Sequence, residues 1–73
     1  MEIPLINWLK IIERDGGTIS TYPFIEYGHQ SDLNRLKALG LVSFVLPAGP
    51  HPMIEITEKG REALRSGVIQ ESN

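Results

Sequence analysis

Hydrophobic residues near the start of the chain recur at the spacing of one wide helical face. They are Leu5, Ile6, Trp8, Leu9, Ile11 and Ile12. The pattern predicts a helix over residues 3–14, with Pro4 in its first turn and Gly16-Gly17 as its end. So wide an apolar face is typical either of a central helix or of half of a dimer contact. We expect Trp8 to lie in the core.

The segment after this helix predicts a short strand and a short helix. Thr18-Ile19-Ser20 is β-prone and long enough for one edge strand of a small sheet. Ser20 or Thr21 can cap a second helix of about two turns, which has Pro23 in its first turn. Gly28 is expected to end it.

A third helix is predicted to follow the tight turn at Gly28 and to run to Leu39. Its buried side consists of the leucines at positions 33, 36 and 39. Either Ser31 or Asp32 is expected to be the N-cap, and Gly40 follows the last helical residue.

The second half of the chain predicts a β-hairpin followed by a helix. Residues 41–46 are β-branched, aromatic and apolar, whereas three prolines exclude helix and regular strand from residues 47–52. Residues 53–57 alternate, with Ile54 and Ile56 on one face and Glu55 on the other. Thr57 is expected to cap a helix over residues 58–66 that ends at Gly67. Gly60 inside that helix indicates a close approach of another backbone or side chain.

The expected fold is therefore mainly α with a small β-hairpin (α+β), in the order α-β-α-α-β-β-α. Residues 1–69 are expected to form a single domain and residues 70–73 a disordered tail. A chain of 73 residues with 41% hydrophobic and 22% charged residues has an ordinary globular composition. We expect a cytoplasmic protein, since neither a secretory signal nor an apolar stretch of membrane-spanning length is apparent.

Charge and residue types narrow the chemistry further. Absence of cysteine excludes disulfides and thiolate metal sites, and two distant histidines make a zinc site improbable. No carboxylate pair, Ser–His–Asp set or glycine-rich phosphate loop has credible spacing, so we expect no enzyme, no cofactor and no small-molecule ligand. The net charge is −2, yet residues 28–53 carry Arg35 and Lys37 against Asp32 alone. The middle of the chain is thus its least acidic part.

Two segments resemble a known family. Residues 35–42, Arg-Leu-Lys-Ala-Leu-Gly-Leu-Val, look like the end of a recognition helix running into a first wing strand. Residues 56–64, Ile-Thr-Glu-Lys-Gly-Arg-Glu-Ala-Leu, are similar to a second wing strand running into the following helix. With the element order, the chain over residues 5–64 resembles the winged helix-turn-helix DNA-binding domains of prokaryotic (bacterial, archaeal or viral) transcription regulators. The resemblance implies a third helix in the major groove and a dimer on a two-fold site.

The polar flank of the third helix, opposite its leucines, carries side-chain types that can read base edges. We expect Asn34 and Gln30 to contact bases, and Arg35 either to pair with guanine or to neutralise a phosphate. The other candidates for DNA contacts are Ser31, Lys37 and His29 at the third helix, Thr21 and Tyr22 at the second, His51 in the wing, and Lys59 and Arg61 after it.

Each of these residues also has a simpler interpretation. Asn34 and Gln30 can be solvated helix surface, Ser31 a cap, and His29 a turn residue. Lys37 can extend over the core.

The functional hypothesis is sequence-specific binding of double-stranded DNA by a small transcription regulator. The wing departs from the family pattern, because residues 47–52 offer His51 as their single ionisable side chain. A stiff, nearly uncharged wing favours protein contact, so the alternative is a winged-helix protein–protein interaction module that does not bind DNA. A homodimer would use the first helix (Ile3 and Trp8) and the C-terminal Val68 and Ile69.

Overall fold

The computed structural model describes residues 4–45 and 50–69. Its helices and strands are α1 (Leu5–Arg14), β1 (Thr18–Ser20), α2 (Tyr22–Glu26), α3 (Gln30–Ala38), β2 (Val42–Phe44), β3 (Met53–Ile56) and α4 (Glu58–Ser66). The order agrees with the sequence prediction, and the fold is a small α+β arrangement with an antiparallel sheet. No helix in the described part is long and apolar enough to cross a membrane. The predictions for Ile3, for residues 46–49 and for the tail at 70–73 lie outside the described residues.

Helix α1 is central to the core. Leu5, Trp8, Leu9 and Ile12 are buried, and the flanking isoleucines at positions 6 and 11 are half-buried against the same cluster. Trp8 is only 4% exposed, which confirms its predicted place in the core. The ring of Trp8 is covered by its own chain, and the homodimer through the first helix stays a prediction.

The three strands form one antiparallel sheet in the order β1-β3-β2. β1 lies at an edge, as predicted, with Ile19 opposite Ile54. β2 and β3 form the predicted hairpin, with Val42 opposite Ile56. Ile54 and Ile56 are buried while Glu55 is exposed, so the alternation of the third strand is confirmed.

Strand β2 is shorter than the predicted 41–46, because Leu41 completes the end of α3. Gly40 has φ +75°, and the backbone N–H of Leu41 then donates to the Leu36 carbonyl at 2.9 Å. This is the hydrogen bond of a Schellman ending, in which glycine tolerates the left-handed backbone. The Leu41 carbonyl in turn accepts from the Thr57 N–H at 3.0 Å, so the end of α3 is fastened to the start of α4.

The predicted N-cap of α3 is wrong, whereas that of α2 is confirmed in its position but not in a Thr21 capping bond. α3 begins one residue earlier than Ser31, with His29 at the N-cap position and no side-chain capping bond. Asp32 cannot act as the cap because it lies inside the helix. Thr21 occupies the N-cap position of α2 but makes no capping bond either, while the Ser20 hydroxyl accepts from the Tyr22 N–H at 3.1 Å.

The start of α4 follows the sequence prediction closely. The Thr57 hydroxyl accepts from the Gly60 N–H at 3.1 Å and donates to the Gly40 carbonyl at 2.6 Å, so it caps α4 and ties it to the end of α3. Gly60 is buried against this junction. A Cβ there would lie 2.4 Å from the Leu41 carbonyl oxygen and 2.7 Å from Ile56 Cγ1. The close approach predicted at Gly60 is confirmed.

Gly60→Ala is therefore expected to lower the free energy of unfolding by about 1–3 kcal/mol, because α4 must shift away from the Leu41 backbone. This loss should outweigh the roughly 1 kcal/mol that alanine gains in helix propensity. Urea denaturation followed by circular dichroism measures the change. The exposed neighbour supplies a control, since Lys59→Ala should stay within about 0.5 kcal/mol. A Gly60→Ala protein more stable than the parent would contradict the contact.

Candidate nucleic-acid interface

Helix α3 buries one side and exposes the other. Leu33 and Leu36 are buried and Leu39 is half-buried against the core. The residues on the opposite and lateral sides are all exposed: Gln30, Ser31, Asn34, Arg35, Lys37 and Ala38. We call these six residues the outer flank of α3. The described part of the chain leaves the outer flank open to solvent.

The indole of Trp8 holds α3 in place. Its Nε1–H donates to Asp32 Oδ2 at 2.9 Å, and its ring lies 4.1 Å from the ring of Phe24 in α2. The ring of His29, in the turn between α2 and α3, meets the indole edge-on at 5.5 Å. One side chain of α1 thus contacts α2, the turn and α3 together. The acidic residue of α3 is thereby directed toward α1 and away from the outer flank.

The outer flank carries positive and amide groups but no carboxylate. Lys37 Nζ lies 4.5 Å from the centre of the Phe44 ring in β2, a cation–π contact that links the last turn of α3 to the hairpin. Gln30 Nε2 donates to Asn34 Oδ1 at 3.4 Å across one helical turn. These contacts join the predicted residues Gln30, Asn34 and Lys37 to one surface that also holds Ser31 and Arg35.

Tyr22, at the start of α2, is half exposed beside other aromatic rings. Its ring centre lies 5.8 Å from that of Tyr27 and 5.0 Å from that of His51. The pKa of Tyr22 is raised above its ordinary value of 10.0, first by the neighbouring Tyr27, then by partial loss of solvent and by Glu26. Tyr22 therefore remains a neutral phenol at physiological pH, able to hydrogen-bond a phosphate.

Of three further residues predicted to contact DNA, one is buried and two pair with carboxylates. Thr21 is fully buried, and its hydroxyl has no hydrogen-bond partner among the described residues, so it does not reach a surface. His51 Nε2 lies 2.9 Å from Glu26 Oε2, which holds the imidazole against a carboxylate of α2. Arg61 Nε donates to Glu13 Oε2 at 3.1 Å and joins α4 to α1.

Lys59 and His29 lie near the two ends of α3, and their surroundings neither favour nor exclude a DNA contact. Lys59 is exposed and its aliphatic part lies next to Gly40, beside the C-terminal end of α3. His29 is half-buried, with Nδ1 at 3.9 Å from Asp32 Oδ2, so this histidine belongs to the Trp8 contact as much as to the surface. Tyr27, Glu26 and Phe44 were not identified from the sequence as part of the site. The partner of Glu26 lies 25 positions away, whereas Tyr27 and Phe44 contact the nearby Tyr22 and Lys37 and carried no separate signal.

A separate groove of about 470 Å³ runs along α4, outside the outer flank. It is lined by Leu41, Lys59, Glu62, Ala63, Ser66 and Val68. Within residues 4–45 and 50–69, no group of three or more histidine and acidic side chains is arranged to hold a metal ion.

Comparisons with family models, with curated proteins and with solved structures find no match to this chain. The function is therefore inferred from the geometry of the outer flank and from the contacts that orient it.

Removing the Asp32 acceptor is expected to destabilise the fold. Asp32→Ala leaves the buried indole N–H of Trp8 unpaired, which costs about 1–3 kcal/mol of unfolding free energy. Asp32→Asn keeps a carbonyl oxygen that can accept the bond, so it should lose less, although the charge-assisted part disappears. Urea denaturation followed by tryptophan fluorescence measures both. The exposed Asp15→Ala is the control, and an Asp32→Ala protein as stable as this control would refute the role of the contact.

Proposed function

We propose that this chain is a winged helix-turn-helix domain that binds double-stranded DNA sequence-specifically, as a small cytoplasmic regulator of transcription. In this proposal α3 enters the major groove, whose width of about 12 Å admits an α-helix. The observation that carries the proposal is the outer flank of α3, which is exposed, rich in amide and basic side chains, and free of carboxylates.

The architecture supports this assignment. Helices α2 and α3 are joined by a tight turn around Gly28, and the β2–β3 hairpin follows α3 directly. We assign the hairpin as the wing. The contact of Lys37 with Phe44 connects the proposed recognition helix to the proposed wing.

The arrangement of charges supports a polyanionic partner despite the net charge of −2. Several carboxylates are engaged elsewhere: Asp32 by Trp8, Glu26 by His51, and Glu13 by Arg61. Arg35 and Lys37 are exposed on the outer flank, so the local field there favours phosphate.

The roles we propose follow from where each side chain lies. Gln30 and Asn34 contact base edges, Arg35 pairs with guanine or a phosphate, and Lys37 and Ser31 bind phosphate. A backbone contact is also proposed for Tyr22, and a phosphate contact for Lys59. Thr21 is buried and we leave it out of the proposed site; His51 and Arg61 pair with Glu26 and Glu13, and we assign them no base contact. In a homodimer through the first helix and the C-terminal Val68 and Ile69, Val68 is the exposed member and Trp8 is buried.

A protein-docking role is the second candidate, favoured by the apolar and aromatic surface of α2. Tyr22, Ile25 and Tyr27 are 46%, 39% and 67% exposed, a large apolar area for so small a domain. The neighbouring His51 is paired with Glu26 and does not add free positive charge to this surface. Complexes formed there would depend weakly on salt, whereas DNA binding weakens steeply as salt increases.

Arg35→Ala is expected to weaken binding to a selected duplex by about 1–3 kcal/mol, because a base or phosphate contact is lost. Arg61→Ala removes the same charge on the α1–α4 side and should leave the affinity nearly unchanged. Fluorescence anisotropy with labelled duplex at several salt concentrations measures both variants. If no duplex binds even at low salt, where phosphate contacts are strongest, the DNA-binding proposal is wrong.

A further inference from the structure

The two amide side chains of the outer flank are not independent. Gln30 Nε2 donates to Asn34 Oδ1 at 3.4 Å, and the two residues are four positions apart on the exposed side of α3. Such i,i+4 pairs reduce the freedom of both side chains. In this contact the carbonyl oxygen of Asn34 is turned toward Gln30.

This bond leaves Asn34 able to make three more hydrogen bonds, with its oxygen on one side of the amide and its NH₂ group on the other. Its carbonyl oxygen has a second lone pair, and its NH₂ group has two donors. The adenine edge in the major groove offers one acceptor, N7, next to one donor, N6–H₂. Guanine offers two acceptors, cytosine a donor, and thymine an acceptor with a methyl group. A fixed oxygen next to a fixed NH₂ is complementary to adenine.

The neighbours of Asn34 allow a base to approach it. Ser31 lies one turn before Asn34 and Ala38 one turn after it, and both are small. The long Lys37 side chain is drawn toward Phe44 in the hairpin. Of the residues one turn away from Asn34, Ser31 and Ala38 are thus small, Gln30 bonds to the Asn34 amide, and Lys37 turns toward the hairpin.

We propose that Asn34 reads a single adenine through N6 and N7, and that Gln30 is a positioning residue that fixes the Asn34 amide for this contact. The proposal rests on the proposed DNA-binding function and adds to it the base that is read. Because the contact with Gln30 favours this orientation of the Asn34 amide, less side-chain entropy is lost on binding, and the reversed orientation of the amide is disfavoured.

The test starts from duplexes that the parent protein selects from a random pool. The adenine in question is the position whose preference disappears in Asn34→Ala. At that position adenine is replaced by 7-deazaadenine, which lacks N7, or by purine, which lacks the 6-amino group. Affinities are measured by anisotropy for the parent, Asn34→Ala, Gln30→Met and the control Ser31→Ala. Methionine is close to glutamine in size but has no donor for Asn34 Oδ1.

Either base analogue should weaken binding of the parent about 5- to 150-fold, the equivalent of one adenine contact. Asn34→Ala should not distinguish adenine from the analogues, and Ser31→Ala should distinguish them as the parent does. For Gln30→Met, the ratio of the affinities for adenine and for an analogue should be smaller than in the parent and larger than in Asn34→Ala. Since both amides are exposed, circular dichroism should show parent-like helix content in every variant.

The possible outcomes distinguish adenine reading by Asn34 from the proposed DNA binding on which it rests. Absence of binding to any duplex at low salt would refute both. Specific binding without a selected adenine, or an analogue effect equally large in Asn34→Ala, would refute adenine reading and leave DNA binding intact. A Gln30→Met protein with the full ratio of the parent would refute the positioning role alone.

Discussion

The orientation of α3 depends on one side chain of α1, the indole of Trp8. Its ring packs on Phe24 of α2 at 4.1 Å, and its N–H donates to Asp32 of α3 at 2.9 Å. The aromatic ring is buried in the core, and its N–H makes a directional hydrogen bond, so one side chain both packs and orients its neighbours. Because Asp32 is fixed toward α1, the side of α3 opposite its leucines faces outward.

Three carboxylates of the domain are engaged in separate internal contacts. The carboxylate of α3 is used internally, and those of Glu26 and Glu13 are engaged by His51 and Arg61. Although the net charge of the chain is −2, the outer flank of α3 exposes Arg35 and Lys37 and contains no carboxylate. Net charge alone would have favoured a protein partner, whereas the local arrangement favours a polyanion.

Features set by nearby residues could be predicted from the sequence, and those set by distant residues could not. The glycine ends and the Thr57 cap are local, and the structure confirms them. The crowding at Gly60 comes from Leu41 of a distant segment, yet a glycine inside a helical pattern indicates it. The bonds of Trp8 with Asp32, Glu26 with His51 and Glu13 with Arg61 span 24, 25 and 48 positions. No periodic pattern in the sequence indicates such pairs. The expected cap at Asp32 is therefore wrong, and the internal partners of His51 and Arg61, whose DNA contacts stay predictions, could not be predicted.

The most direct test of the central claim is a titration of ¹⁵N-labelled protein with a selected duplex at low salt, followed by amide chemical shifts. The account predicts that the largest changes fall on α3, with smaller ones on the hairpin and the start of α2, and that the second half of α4 stays unchanged. Changes concentrated on the groove along α4, with α3 unaffected, would contradict it.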